Sequence, residues 1–309
     1  MLTLNSVSLD LHQPARRLPS ASAVLELLKP VTWFPPMWAF GCGVVSSGVD
    51  MTGRWWLLAL GIALTGPLSC GGSQAVNDWF DRHVDAINEP NRPIPSGRIP
   101  GFWGLVIAIV WSGATLAVGA LFGSAGLIAT IIAVGLSWAY SAPPLRLKAD
   151  GWFGNAAVGF TYEGLAWITG AVVMIGTWPN AQVVTLAVLY SIGAHGIMTL
   201  NDFKAIDGDR QLGVMSLPVQ LGPQRAAKLA CVVILLPQVV AAALLLFAWN
   251  RPTHAAVLVL LMGIQQAMMP VFLRAPVQKA LWYSGFGVPF SVLGMMVCAH
   301  AVRSMGAGA

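Results

Sequence analysis

The sequence predicts an all-α polytopic membrane protein with nine transmembrane helices, its amino terminus on the cytoplasmic side and its carboxy terminus outside. Three observations predict this. Of 309 residues, 56% are hydrophobic and only 9% carry charge, where soluble chains carry about 25% charged residues. The mean hydropathy is +0.70. The apolar residues fall in runs of about 20, the length that crosses a hydrocarbon core. Such a chain cannot cover the surface of a soluble enzyme. It lacks the polarity of a disordered segment and the charge of a nucleic-acid binder that neutralises phosphates, so no nucleic-acid partner is expected.

In chain order, residues 20–30 read as a short amphipathic lead-in, with Glu26 and Lys29 flanking leucines. The spans follow at 31–50, 55–76, 102–121, 125–142, 154–176, 181–200, 226–248, 254–273 and 281–301. The Gly and Pro inside them are tolerated because neighbouring helices re-satisfy the backbone. The domain layout is a cytoplasmic segment at 1–30, one transmembrane domain at 31–303 and a tail at 304–309.

With this alternation Arg54, Arg251 and Arg303 lie on one side and the remaining fourteen of the seventeen basic residues on the other. By the positive-inside rule the basic side is cytoplasmic, and an even number of spans would scramble the split. The loops 82–100, 143–153 and 202–225 on that side are long and polar, so chemistry is expected there. Cys42, Cys70, Cys231 and Cys298 sit in apolar runs without metal-site or disulfide spacing and read as packing residues. The first twenty residues hold Asp10, Arg16 and Arg17 but no uninterrupted apolar stretch. A cleavable signal peptide is therefore not expected, and a bacterial inner membrane is the simplest location.

Seven of the twelve acidic residues form two clusters. The first opens with Asn77 and Asp78 and continues through Asp81 and Asp85 to Glu89. Its aspartates recur at i, i+3 and i+7, which places them within about 60° of arc on one helical face. Like charges so stacked repel unless a cation bridges them, and hard carboxylate oxygens suit Mg²⁺ together with substrate phosphates. The second cluster, Asn201, Asp202, Asp207 and Asp209, also opens with Asn-Asp and an aromatic residue. The two stand at equivalent places in a weak parallel repeat of four helices. Facing each other across a bundle, they can hold two Mg²⁺ with a diphosphate between. Arg82, Arg92, Arg98, Arg146, Lys148, Lys204 and Arg210 lie near the clusters and suit an oxyanion. A transporter's carboxylate relay would instead sit at bilayer depth.

The pattern NDxxDxxxD at 77–85 resembles the first aspartate motif of the UbiA family of intramembrane prenyltransferases, and the second cluster resembles its second motif. The stretches NDWFDRHVDAINEPNRPIPSGRIP (77–100), YSAPPLRLKADGWFGN (140–155) and NDFKAIDGDRQLGVMSLPVQLG (201–222) are most similar to the branch that prenylates chlorophyllide or bacteriochlorophyllide. Residues 162–165, Tyr-Glu-Gly-Leu, look more like the bacteriochlorophyll side of that branch. The resemblance runs from Leu25 to Arg303. It implies nine helices around a central cavity, Mg²⁺ at both motifs and a geranylgeranyl or phytyl diphosphate donor. The acceptor would be bacteriochlorophyllide a or chlorophyllide a. Protein partners would come from pigment synthesis or photosystem assembly. One departure stands out: the DxxxD of the second motif has Ala205 at its first position, so Asp202 or Asp207 would have to supply that oxygen beside Asp209.

The scheme this implies uses Asp78, Asp81, Asp85, Asp202 and Asp209 to bind the metal that neutralises the diphosphate, assisted by Arg82, Arg92, Lys148, Lys204 and Arg210. Trp79, Phe80, Tyr140 and Phe203 are candidate faces for the allylic cation, against the plainer reading of packing or interfacial anchoring. Glu163 is the one acid placed in the interior of a span, Asp50 only closing the first, and an intramembrane carboxylate is a functional candidate. It is expected to meet the acceptor, or to pair with His195 or Asn155. His195 is a candidate ligand for a tetrapyrrole metal, against the plainer reading of a core histidine. A prenyltransferase acting on an aromatic acid, quinone precursor or haem, and a non-enzymatic pigment carrier, are the alternatives.

Overall fold

The computed structural model describes residues 18–306; the expected tail beyond Gly306 and the basic pair Arg16 and Arg17 lie outside the described residues. A short helix α1, Ala21–Leu27, is capped by the Ser20 hydroxyl, which accepts from the Ala23 N–H. It presses Ala23 and Leu27 inward and leaves Leu25 exposed, as the amphipathic reading requires. Next come α2, Phe34–Ser46; α3, Trp55–Asn88; α4, Trp103–Leu121; α5, Gly123–Ser141; α6, Gly151–Ile175; and α7, Ala181–Asp202. Two short helices, α8 at Ile206–Leu212 and α9 at Leu217–Leu221, precede the last three long ones. These are α10, Pro223–Ala248; α11, Pro252–Arg274; and α12, Pro276–Arg303.

Among the described residues eight helices are long and apolar enough to cross a membrane. The first predicted span, 31–50, is not among these eight and corresponds to α2, which has 13 residues. At 1.5 Å per residue it measures about 20 Å, short of a hydrocarbon core of about 30 Å. The second predicted span is instead too short: α3 does not stop at residue 76 but runs 34 residues to Asn88, carrying the first aspartate cluster as helix. Part of the predicted polar loop 202–225 is helical as well, in α8 and α9.

Small residues let the spans approach. A Cβ on Gly43 of α2 would fall 2.9 Å from both the Ala171 nitrogen and Gly170 Cα of α6. Trp167 then donates from its indole to Ser46, 3.0 Å away, locking the same pair of helices. In α3 the π-helical stretch Leu64–Cys70 surrounds Pro67, whose missing N–H interrupts the ladder. The Trp111 indole donates to the Pro67 carbonyl at 3.1 Å.

The charges sort to two ends of this bundle. Arg54 donates to the Met174 carbonyl and Arg251 to the Ala301 carbonyl, both at 3.0 Å, and Asp50 lies within electrostatic reach of Arg303 and Arg54. Both aspartate clusters occupy the opposite end. There an isolated parallel bridge joins Asp150 to Met215, and Asp150 also caps α6 by accepting from the Trp152 and Phe153 N–H groups. The loop after α5 and the loop after α8 are thus stitched together above the bundle.

Candidate active site

A cavity of about 400 Å³ opens between α2, α3, α5, α6, α7 and α12. Asn77 and Asn201, which open the two clusters, both line it, as do Tyr140 and Glu163. Its walls are mostly apolar, with Phe34, Trp38, Leu136, Ile197 and Val292 among the lining residues.

The first cluster is helical, and its three aspartates are each met by a protein cation. The Lys29 ammonium donates to Asp78 Oδ1 at 2.6 Å, and Asp78 is 1% exposed. Arg92 donates to Asp85 at 2.8 Å and stands 3.6 Å from Asp78. Lys148 donates to Asp81, with Arg146 3.6 Å from the same carboxylate. Lys29 and Arg146 both adopt left-handed backbone, at φ 48° and 37°. That conformation costs a non-glycine residue roughly 1–2 kcal/mol and is concentrated at functional sites. Burial pushes the Lys148 ammonium below its usual range, with Asp81 opposing that shift. Burial acts on Arg92 in the same sense, but Asp78 and Asp85 outweigh it and hold the guanidinium above its usual range.

The second cluster splits. Asn155 donates to Asp202 at 3.2 Å and to the Thr199 hydroxyl at 3.3 Å. Asp209 and Lys204 lie within electrostatic reach of Asp202. Burial raises the Asp209 carboxyl above its usual range. Asp207 is 92% exposed in its side chain and pairs loosely with Arg210, 3.9 Å away, so neither is drawn into the group. Lys204 is exposed too. Asn77 and Asn201 line the cavity together with Tyr140, on which Asp202, Asp81 and Asp209 all act electrostatically, so the two clusters lie around one mouth of the cavity.

Several sequence expectations change here. Arg82 turns away from the acids, stacking 4.1 Å over the Trp79 ring and donating to the Trp79 carbonyl at 2.7 Å. Of the four aromatic candidates only Tyr140 lines the cavity; Trp79 packs on Phe102, Phe80 on Trp138 and Phe203 on Phe272. His195 faces Trp152, ring centres 5.8 Å apart, and is not among the described cavity-lining residues. Glu163 pairs with neither His195 nor Asn155: its Oε2 is buried without a partner. The Lys29–Asp78 pairing spans 49 positions and leaves no local signal in the sequence.

Whether this mouth suits a divalent cation turns on its oxygens. Among the described residues no three His, Cys, Asp or Glu side chains converge on one metal-sized centre. Mg²⁺ needs only one or two carboxylates beside water and phosphate oxygens. Asp78 Oδ2 is a buried acceptor with no donor, the group such an ion would satisfy. The residues fit.

Apolar cavity, paired acidic clusters and a ring of cations define an intramembrane site for a charged head and a greasy tail. The chain belongs to the UbiA prenyltransferase family, whose model matches residues 32–298. It is 54% identical over 300 residues to the bacteriochlorophyll synthase 33 kDa chain of Cereibacter sphaeroides, covering 97% of this chain and 98% of that one. It is 42% identical to the chloroplastic chlorophyll synthase of Oryza sativa, over 90% and 76% of the two chains. Among solved structures, a UbiA homolog from Archaeoglobus fulgidus bound to DMAPP and Mg²⁺ superposes with a TM-score of 0.68. That match is 19% identical and covers 91% of this chain and 99% of the other. The fold is therefore that of the family, and the protein is a multi-pass membrane protein.

Proposed function

We propose that this chain esterifies the propionate of bacteriochlorophyllide a with geranylgeranyl or phytyl diphosphate, releasing diphosphate, as the last stage of bacteriochlorophyll synthesis. The observation that carries the reading is the meeting of both aspartate clusters at one mouth of an apolar cavity. The greater identity to the bacteriochlorophyll enzyme than to the chlorophyll enzyme supports this acceptor.

The propionate oxygen attacks the allylic carbon that bears the diphosphate. One carbon–oxygen bond forms, the other breaks, and diphosphate leaves with the electron pair. A propionate is already ionised near neutral pH, so no strong general base is required. Mg²⁺, when held by Asp78, Asp81 and Asp85 and by Asp202 and Asp209, supplies charge neutralisation at the diphosphate. Asn77, Asn201 and the exposed Asp207 complete the candidate ligand set. Arg92, Lys148 and Lys29 border the same mouth and offer charge-assisted hydrogen bonds to a leaving oxyanion. Lys204, Arg210 and Arg82 lie farther out or turn aside, and their roles are attraction at the surface and packing. The apolar walls exclude water from the allylic cation.

We place the protein in the cell inner membrane with the aspartate mouth facing the cytoplasm, since that end carries the basic residues. The short α2, leading from Lys29 at that mouth to Asp50 beside Arg54 and Arg303 at the far end, serves as the ninth crossing. Residues 31–303 form the single catalytic domain in this reading. Protein partners would be pigment-synthesis or photosystem-assembly proteins. The test uses purified protein in detergent with Mg²⁺ and geranylgeranyl diphosphate, offered bacteriochlorophyllide a or chlorophyllide a separately. Esterified bacteriochlorophyllide alone is expected. Ester from chlorophyllide alone would move the chain to the other branch, and release of diphosphate without either ester would point to another acceptor.

A further inference from the structure

Glu163 is the one carboxyl group among the cavity-lining residues, and it is 8% exposed with Oε2 unpartnered. None of the described lining residues is Lys, Arg or His, so nothing in the wall compensates a charge there. An uncompensated carboxylate in such a wall is far costlier than the neutral acid, which offers one O–H donor in search of an acceptor.

The backbone holds that donor in place. Glu163 belongs to the π-helical turn Phe160–Leu165, a geometry that recurs at functional sites. Beside Glu163, α6 is pressed against α7. A Cβ on Gly164 would overlap the Ser191 hydroxyl, and one on Gly159 would sit 2.6 Å from the Ser191 carbonyl oxygen. Glu163 therefore lines the cavity from a fixed turn, with Oε2 buried in the wall.

Its depth is informative. Glu163 lies eight residues along α6 from Asn155, the partner of Asp202 at the mouth. Eight residues of helix rise about 12 Å. An acceptor whose propionate meets the diphosphate at the mouth carries its ring E carbonyls close beside that propionate. With the propionate at the mouth, the acetyl carbonyl of ring A, on the far side of the macrocycle from ring E, would reach toward the depth of Glu163. Chlorophyllide a has a vinyl group there and offers nothing to a hydrogen-bond donor.

We propose that Glu163 selects the acceptor by donating a hydrogen bond to the ring A acetyl carbonyl. This rests on the bacteriochlorophyllide reading above. The donor favours the acetyl pigment directly, and a vinyl pigment is penalised because it leaves the buried hydroxyl unpaired.

The test compares wild type, Glu163→Gln and Glu163→Leu, each with bacteriochlorophyllide a and with its analogue carrying vinyl in place of acetyl. Wild type is expected to favour the acetyl acceptor about tenfold or more in kcat/KM, the worth of one such hydrogen bond. Glu163→Leu should lose that preference through a higher KM for the acetyl acceptor, with KM for geranylgeranyl diphosphate unchanged. Glu163→Gln keeps an N–H donor and should retain part of the preference. Resonance Raman of bound bacteriochlorophyllide a should show the acetyl carbonyl stretch lowered in wild type and relaxed in Glu163→Leu. A free carbonyl stretch in wild type overturns the proposal even if a variant fails to fold. So does Glu163→Leu with undiminished preference. If wild type binds the pigment with a lowered stretch yet makes no ester, the functional reading fails and this one stands.

Discussion

The Lys29 ammonium lies 2.6 Å from Asp78 Oδ1, joining the amphipathic segment that precedes the bundle to the first aspartate of the first cluster. Lys29 holds this position from a left-handed backbone, and Asp78 is almost wholly buried. The pair makes the entry segment part of the active-site mouth rather than a surface appendage.

Replacing Lys29 by Met strips a buried carboxylate of its nearest cation, leaving Arg92 at 3.6 Å. The loss is expected at roughly 1–3 kcal/mol, since uncompensated buried charges are costly. Thermal unfolding in detergent reads it directly. The double variant with Asp78→Asn should recover part of the loss; strictly additive effects would show that the two residues are not coupled.

Asp78→Ala and Asp202→Ala each remove an oxygen from one side of the mouth. Loss of turnover by about 100-fold or more is expected, the usual effect of deleting one stabiliser of transition-state charge. Product ester measured against Mg²⁺ concentration tests this. Full Mg²⁺-dependent turnover in either variant would remove that cluster from the site.

Chelation should act the same way without changing the chain. Removing divalent cations is expected to abolish ester formation and weaken prenyl diphosphate binding, with both restored by Mg²⁺. Undiminished turnover after exhaustive chelation would contradict the metal assignment.

Gly43 permits the closest crossing of α2 and α6. Gly43→Ala puts a methyl group where the backbone of Trp167 and Ala171 already lies, so a destabilisation of about 1–3 kcal/mol is expected from overpacking. Gly41→Ala on the same helix meets open space and serves as the control, with little change in thermal unfolding.

Arg98 clamps Glu26 with contacts of 2.5 and 2.7 Å, tying α1 to the loop after α3. The hydrogen bonds from Arg98 hold the Glu26 carboxyl below its ordinary 4.5. A carboxyl lowered on folding stabilises fully above its unfolded value and ceases to as pH falls through the lowered one. The protection of amides in residues 21–27, taken relative to the intrinsic exchange rate at each pH, should therefore fall below pH 4.5, and Arg98→Ala should abolish that step. An unchanged exchange profile in the variant would show the clamp to be inert.

Much of this was legible in the chain because its signals are local. A run of apolar residues must become helix in a bilayer, where every backbone polar group has to be satisfied within the segment. Aspartates at i, i+3 and i+7 must share a helical face wherever that helix ends. That is why the family, the spans and the first cluster could be read directly, and why the residues of the second cluster could be named. The end of α3 was misplaced because polar residues close a hydropathy window without closing a helix; Asn77–Asn88 continue it outside the apolar run.

By itself, then, the sequence determined the helical membrane architecture and which residues make up the two acidic clusters. Tertiary structure alone decided which cations meet which acids. Lys29, Arg92 and Lys148 reach theirs across loops and helices, whereas Arg82, inside the motif, leans on Trp79. It also separated Asp202, held by Asn155, from Asp207 in the solvent. And it left Glu163 without a partner at the cavity wall. Periodicity fixes the face a side chain takes on its own helix. What stands opposite that face depends on how the helices cross, and crossing is settled by packing between residues far apart in sequence.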